Sequence, residues 1–285
     1  MSFCAPSRGQ NKWTCFTLEE LEIMCTALNK TELGESRPID VSSLKNTSKD
    51  NQETYKKLLW TALRDRFYPY CGDNESCWLD SVDLGKQLSV VSPAAYKILN
   101  HFTLKPKGTK KKNGWLSTTE IDYVMEQFVE IFPDFKYIGC FPSDYYKLSP
   151  NKFPKDILDK HAKAAIVFNL DESHQSGSHW VTVFFDVDET TGERKVEYFD
   201  PTGDPPNKNI EKFLRHPYFA DSILIINKKG HQKGNTECGV YSLFYILERM
   251  NGSSMEEINN KRIPDGEMNN FRSVLFRPWT PKYKF

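Results

Sequence analysis

Cys238 opens the stretch "CGVYSLFYILERMNG", in which Val240, Leu243, Phe244, Leu247 and Met250 recur at helical spacing and Tyr241 and Ile246 widen the apolar face. A cysteine at the start of a buried helix meets unpaired backbone N–H groups and the positive end of the helix dipole. Both favour a thiolate over a packing thiol. A thiolate beside an imidazolium attacks carbonyl carbons, so the chemistry to look for is acyl transfer. Gly239 next to the sulfur is expected to leave room for substrate.

The rest of such a site must come from elsewhere in the chain. "HWVTVFFDV" (179–187) and "KVEYFD" (195–200) alternate like strands, and "DETTGER" between them is a turn signal, so the two form a hairpin. With the turn centred near Glu189 and Thr190, outward pairing places His179 opposite Asp200 at the open end, within a residue or two of register. A carboxylate there orients the imidazole and favours its charged form. Acyl transfer also needs donors for the developing oxyanion. The backbone N–H of Cys238 is one candidate. The side-chain amide of Gln232, in the Gly- and Asn-rich loop "KKGHQKGNTE", is a second. His231 and His174 remain rival bases, and Asp186, Asp188 and Asp204 rival acids.

These elements sit in a dense region. "AAIVFNL" (164–170) and "SILIIN" (222–227) also read as strands, and "STTEIDYVMEQFVEIF" as a helix with Ser117 and Glu120 as its capping box. The order of helix, three strands, a further strand and the long helix predicts an α+β fold with a mixed or antiparallel sheet. Residues 1–104 carry scattered helical signals: Thr17 and Glu20 as a capping box, Leu58, Leu59, Ala62 and Leu63 on one face, and Ser92-Pro93 as a helix start. The polar stretch between the first two, "NKTELGESRPIDVSSLKNTSKDNQ", reads as a loop. "KPKGTKKKNG" (105–114) reads as a solvated basic linker, so the expected organisation is a helical region 1–104, a linker 105–114 and a core 115–285.

Bulk properties narrow the classes. In 285 residues, 39% hydrophobic and 13% aromatic side chains suffice for a core. A formal net charge of +0 gives no overall pull toward nucleic acid or a membrane surface, leaving the Lys105–Lys112 run as the one local basic patch. Seven cysteines without regular spacing are expected to be mostly reduced thiols. Cys4, Cys15, Cys25, Cys71, Cys77 and Cys140 show no spacing with histidines that suggests zinc, so no metal or cofactor is expected. No signal-peptide core or membrane-span-length apolar run is apparent, which predicts a soluble protein made without secretion.

"HWVTVFF", "YFDPTG", "HQ" and "TECGVYSLFYI" resemble the ubiquitin-like-protein protease and adenovirus-protease superfamily of cysteine peptidases. The superfamily order His, Asp or Asn, Gln, Cys, with Gln six positions before Cys, is matched by His179, Asp200, Gln232 and Cys238. The likeness covers roughly residues 115–250. "NTECGVYSLFYILERM" and "FRSVLFRPW" look more narrowly like proteases of large cytoplasmic DNA viruses, African swine fever virus among them. The opening "CAPSRGQNKWTCFTLEEL" looks like iridovirus-like and giant-virus versions. Glu237 departs from the Asp that many relatives carry before the cysteine.

The resemblance implies a papain-like core with a buried nucleophile helix. Cys238 would be the nucleophile, His179 its proton partner, Asp200 the orienting carboxylate, and Gln232 an oxyanion donor. Trp115, Leu116 and Trp180 match the residues that roof a narrow substrate channel admitting Gly-Gly. It implies an endopeptidase acting on viral structural precursors, in host cytoplasm and virion and not on membranes. A deconjugase of SUMO-like or ubiquitin-like proteins and a non-catalytic virion binding module are the alternatives.

Overall fold

The computed structural model describes residues 3–8, 13–49, 51–148 and 153–285. The chain falls into two compact units, one ending at Gly108 and including Phe276–Phe285, the other spanning Thr109–Leu275. The last ten residues, expected in the core region, thus belong to the N-terminal unit.

The N-terminal unit is helical: α1 (Leu18–Leu28), α2 (Glu32–Ser36), α3 (Val41–Thr47), α4 (Gln52–Cys71), α5 (Val82–Val91) and α6 (Pro93–Ile98). The capping box of α1 is present, with Glu20 N–H donating to Thr17 Oγ1 at 3.1 Å and Thr17 N–H to Glu20 Oε2 at 2.8 Å. In α4 the buried stripe is Tyr55, Leu59, Leu63 and Phe67, one residue per turn. Leu58 and Ala62 lie at its half-buried margin. Trp78 is the centre of this core, stacked on Phe16 and Phe67 with ring centroids 5.6 and 5.4 Å away.

The stretch read as a loop folds into α2 and α3. Thr31 and Asp40 cap them, accepting from Gly34 N–H and Ser43 N–H. Asn29 closes the segment by bonding both backbone groups of Ile39. Part of the basic run is structural too. Lys107 Nζ pairs with buried Asp80 at 2.6 Å, and Gly108 N–H donates to Arg277 O at 2.8 Å. Lys110, Lys111 and Lys112 are exposed.

The cysteines differ from expectation. Cys4–Cys15 and Cys71–Cys77 are disulfides, and Cys25, Cys140 and Cys238 are free. Folded geometry, not sequence pattern, brings each pair to the Cα separation a bridge requires, 5.0 and 5.8 Å.

The second unit holds α7 (Thr118–Val129), β1 (Phe135–Pro142), α8 (Tyr145–Leu148), α9 (Lys155–Leu158), β2 (Lys163–Asn169), β3 (Trp180–Val187), β4 (Arg194–Phe199), α10 (Lys208–Leu214), β5 (Ile223–Ile226), α11 (Cys238–Met250), α12 (Met255–Asn259) and α13 (Asp265–Leu275). The sheet order is β1-β2-β3-β4-β5. The outer pairs are parallel and the inner two antiparallel, so the sheet is mixed. Strand β1 escaped the sequence reading. Its register shifts between Tyr137 and Gly139, and Gly139 takes a positive φ, so the polar–apolar alternation is broken there.

Helix α11 packs on β3, with Tyr245 stacked on Phe199 at 4.2 Å. Its far end is tied to the sheet by buried charge. Arg249 donates to Glu197 Oε2 and Asp186 Oδ2, both at 2.7 Å, and Tyr245 OH donates to the same Glu197 oxygen. No described helix is long and apolar enough to cross a membrane.

Two tests follow from these contacts. Arg249→Met strands Glu197 in the core and is expected to cost about 3–5 kcal/mol in urea unfolding; a loss below about 1 kcal/mol would contradict this anchoring role. Alkylation of the unreduced, denatured chain is expected to modify Cys25, Cys140 and Cys238 only, as read by mass spectrometry. Labelling at Cys4, Cys15, Cys71 or Cys77 would contradict the disulfides.

Candidate active site

Register sets the first contact. Thr182 pairs with Phe199, so the hairpin centres between Thr190 and Thr191, and His179 and Asp200 are offset by two residues from direct opposition. They flank the strand ends, and His179 Nε2 meets Asp200 Oδ1 at 2.8 Å. Asp200 is fully buried. Its carboxylate also accepts from Thr202 N–H at 2.8 Å and Thr202 Oγ1 at 2.7 Å. Its backbone is held on both sides by Asn227, which accepts from Asp200 N–H at 2.7 Å and donates to Asp200 O at 2.9 Å. The sequence reading assigned Asn227 no such role. A loop asparagine carries no signal until its partner strand is known.

Cys238 is the first residue of α11, buried, and close enough to His179 for its thiol to raise the imidazole pKa. With Nε2 on Asp200, Nδ1 is the ring atom left for the sulfur. Burial alone would push the imidazole toward neutrality, but the contacts with Asp200 and Cys238 outweigh it and raise the His179 pKa to about 10.

The segment carrying Gln232 is tied to the residue after Asp200: His231 and Gln232 N–H groups both donate to Pro201 O, at 2.8 and 2.9 Å. This approach is tight. A Cβ on Gly203, whose φ is +82°, would lie 2.7 Å from Gly230 N. Gln232 is nearly buried, and its amide nitrogen donates to Gly234 O at 3.1 Å, which leaves a second N–H for another acceptor.

The rivals are committed elsewhere. Buried His231 accepts from Ile263 N–H at Nδ1 and meets Asn259 Oδ1 at Nε2. His174 is exposed beside Glu172. Asp186 holds Arg249, Asp188 caps the hairpin turn, and Asp204 lies 2.7 Å from the Thr202 hydroxyl, competing with Asp200 for its one proton.

Leu116 and Trp180 lie over the nucleophile's neighbour. Trp180 Nε1 donates to Leu116 O at 2.8 Å. A Cβ on Gly239 would lie 3.1 Å from Leu116 and 3.2 Å from Trp180. The space expected to admit substrate at Gly239 is therefore filled by these two side chains, and the glycine serves close packing. Trp115 is half exposed and lines two clefts. One, of about 440 Å³, also takes in Leu116, Trp180, Ser178 and Cys140. The other, of about 590 Å³, includes Lys110, Lys111, Asn235 and Thr236.

A helix-initial thiol beside an imidazole that a buried carboxylate holds, on a mixed-sheet α+β frame, has the parts a cysteine protease uses. No family model matches the chain. A thiol protease of Acanthamoeba polyphaga mimivirus is 32% identical over 301 aligned positions, spanning 100% of this chain and 96% of the relative. A cysteine protease of African swine fever virus is 28% identical over 199 residues, 61% of this chain and 71% of its own length. In fold, a crystal structure of the African swine fever virus protease superposes with a TM-score of 0.67 at 20% identity, covering 98% of this chain and 96% of that one. The chain belongs to this family of viral thiol proteases.

The His179 shift sets a pH test. A group that must donate a proton fails as pH rises through its pKa, so kcat/KM is expected to fall on an alkaline limb near pH 10. Asp200→Asn removes one of the contacts that raise the pKa, so the limb should move to lower pH. An unchanged limb in that variant would contradict the assignment.

Proposed function

We propose that this viral cysteine protease is an endopeptidase that cleaves structural precursor proteins after Gly-Gly. In this reading the Cys238 sulfur attacks the scissile carbonyl carbon. The oxyanion forms against Cys238 N–H and the second N–H of Gln232. His179 gives its proton to the leaving amine as the tetrahedral intermediate collapses to the thioester. Water then attacks the thioester, losing a proton to His179, and the thiolate departs. Asp200 stays ionised throughout and orients the ring.

The observation that supports the Gly-Gly reading is that Trp115, Leu116 and Trp180 line one cleft, with Leu116 and Trp180 packed on Gly239, the residue after Cys238. Bulky side chains along such a passage favour substrate residues without side chains of their own. Trp115, lining both clefts, fits a roof over such a passage.

A deconjugase is the second reading. It is favoured by a relative named as a SUMO-1 cysteine protease of African swine fever virus, 35% identical over 118 residues, 39% of this chain and 42% of its own length. A vestigial binding module fits poorly with a histidine bonded to a buried carboxylate and raised in pKa by a neighbouring thiol. A nucleic-acid role for Lys105–Lys112 is weakened because Lys107 is paired with Asp80. Action in host cytoplasm and virion goes with the precursor reading.

The test is mass-spectrometric mapping of cleavage sites, with viral structural precursors and a panel of ubiquitin-like conjugates side by side. Wild type is expected to cut precursors after Gly-Gly, and Cys238→Ala to cut nothing. Cleavage of conjugates alone would favour the deconjugase, and cleavage by Cys238→Ala would overturn the scheme.

A further inference from the structure

Helix α13 presents Asp265, Asn269 and Arg272 at i, i+4 and i+7, one face, to the loop that joins Gln232 to Cys238. Asp265 accepts the Lys233 N–H at 3.1 Å and the Gly234 N–H at 3.0 Å. The hydroxyl of Tyr241, in the first turn of α11, lies 2.9 Å from the same carboxylate. Arg272 donates to Thr236 O at 2.8 Å, and Asn269 donates to Glu237 Oε1 at 3.2 Å. Glu237 in turn accepts from the Thr236 hydroxyl at 2.6 Å.

Gly234 links the two systems. Its N–H is held by Asp265 and its carbonyl receives the Gln232 amide. A Cβ there would lie 2.8 Å from Glu237 Oε2, so the loop passes close to that carboxylate.

We propose that Asp265 is a positioning residue for an oxyanion donor: through the Gly234 peptide, whose N–H it holds, it fixes the Gln232 amide. The proposal rests on the reading of Gln232 as an oxyanion donor. Asp265 touches no reacting atom. It acts by holding a donor within the narrow tolerance that transition-state stabilisation demands, where a displacement of about 1 Å can cost about a hundredfold in rate.

A double-mutant cycle of Asp265→Ala and Gln232→Ala tests this, with steady-state kinetics on a Gly-Gly peptide and iodoacetamide alkylation of Cys238. Alkylation develops no oxyanion, so it reports the thiol without the donors. Asp265→Ala is expected to lower kcat about ten- to hundredfold, to change KM and the alkylation rate less than about twofold, and to add nothing to Gln232→Ala. Asp265→Asn, which keeps the shape and loses one acceptor oxygen, reads the same cycle if the alanine variant does not fold. Wild-type kcat in the Asp265 variants while Gln232→Ala is impaired would overturn the positioning role and leave the site reading intact. Multiplicative losses, or an alkylation rate that falls with kcat, would also overturn it. Wild-type kcat in Gln232→Ala would overturn both.

Discussion

One hydrogen bond orders the site: His179 Nε2 to Asp200 Oδ1, made where two antiparallel strands end. A buried carboxylate is costly unless its lone pairs are filled. Here Oδ1 accepts from the imidazole and Thr202, and Oδ2 from the Tyr198 hydroxyl at 3.4 Å. Held this way, the ring has its pKa raised to about 10 despite burial, by Asp200 and by the nearby thiol. The hairpin register, the Asn227 clamp and the Gly203–Gly230 approach all bear on this one contact, because each fixes the backbone from which Asp200 projects.

The nucleophile is held by a different device. Helix α11 is anchored to the sheet at its far end by Arg249 between Glu197 and Asp186, and packed by Tyr245 on Phe199. At its near end Gly239 lets Leu116 and Trp180 close over the first turn, while Asp265 holds Tyr241 and the loop before the cysteine. The helix therefore has little freedom to slide or rotate, and the thiol inherits that rigidity.

Much of this frame was legible in the sequence. Strands β2, β3, β4 and β5 announce themselves by apolar runs and turn signals, and α11 by its apolar periodicity, so His179, Asp200 and Cys238 could be placed at element ends. Features that depend on partners far along the chain were not legible. The broken alternation of β1 hides a strand at Gly139. The capped turns at Thr31 and Asp40 turn a polar loop into two helices. Disulfide pairing and the return of Phe276–Phe285 to the N-terminal unit are set by tertiary geometry alone. Asn227 and Asp265 look like ordinary loop and helix-start residues until the backbone groups they satisfy come into place. The crowding at Gly239 also runs opposite to the opening expected from its missing side chain, because side chains from other elements claim the space.

The most direct test of the account is the charge state of one ring, followed by nitrogen NMR of the protein labelled at histidine. The account predicts that His179 keeps both ring nitrogens protonated well above the ordinary histidine pKa of about 6.5, and that replacing Cys238 with Ala lowers its titration point. A His179 that is already neutral at about pH 7, or that titrates alike with and without the thiol, would contradict it.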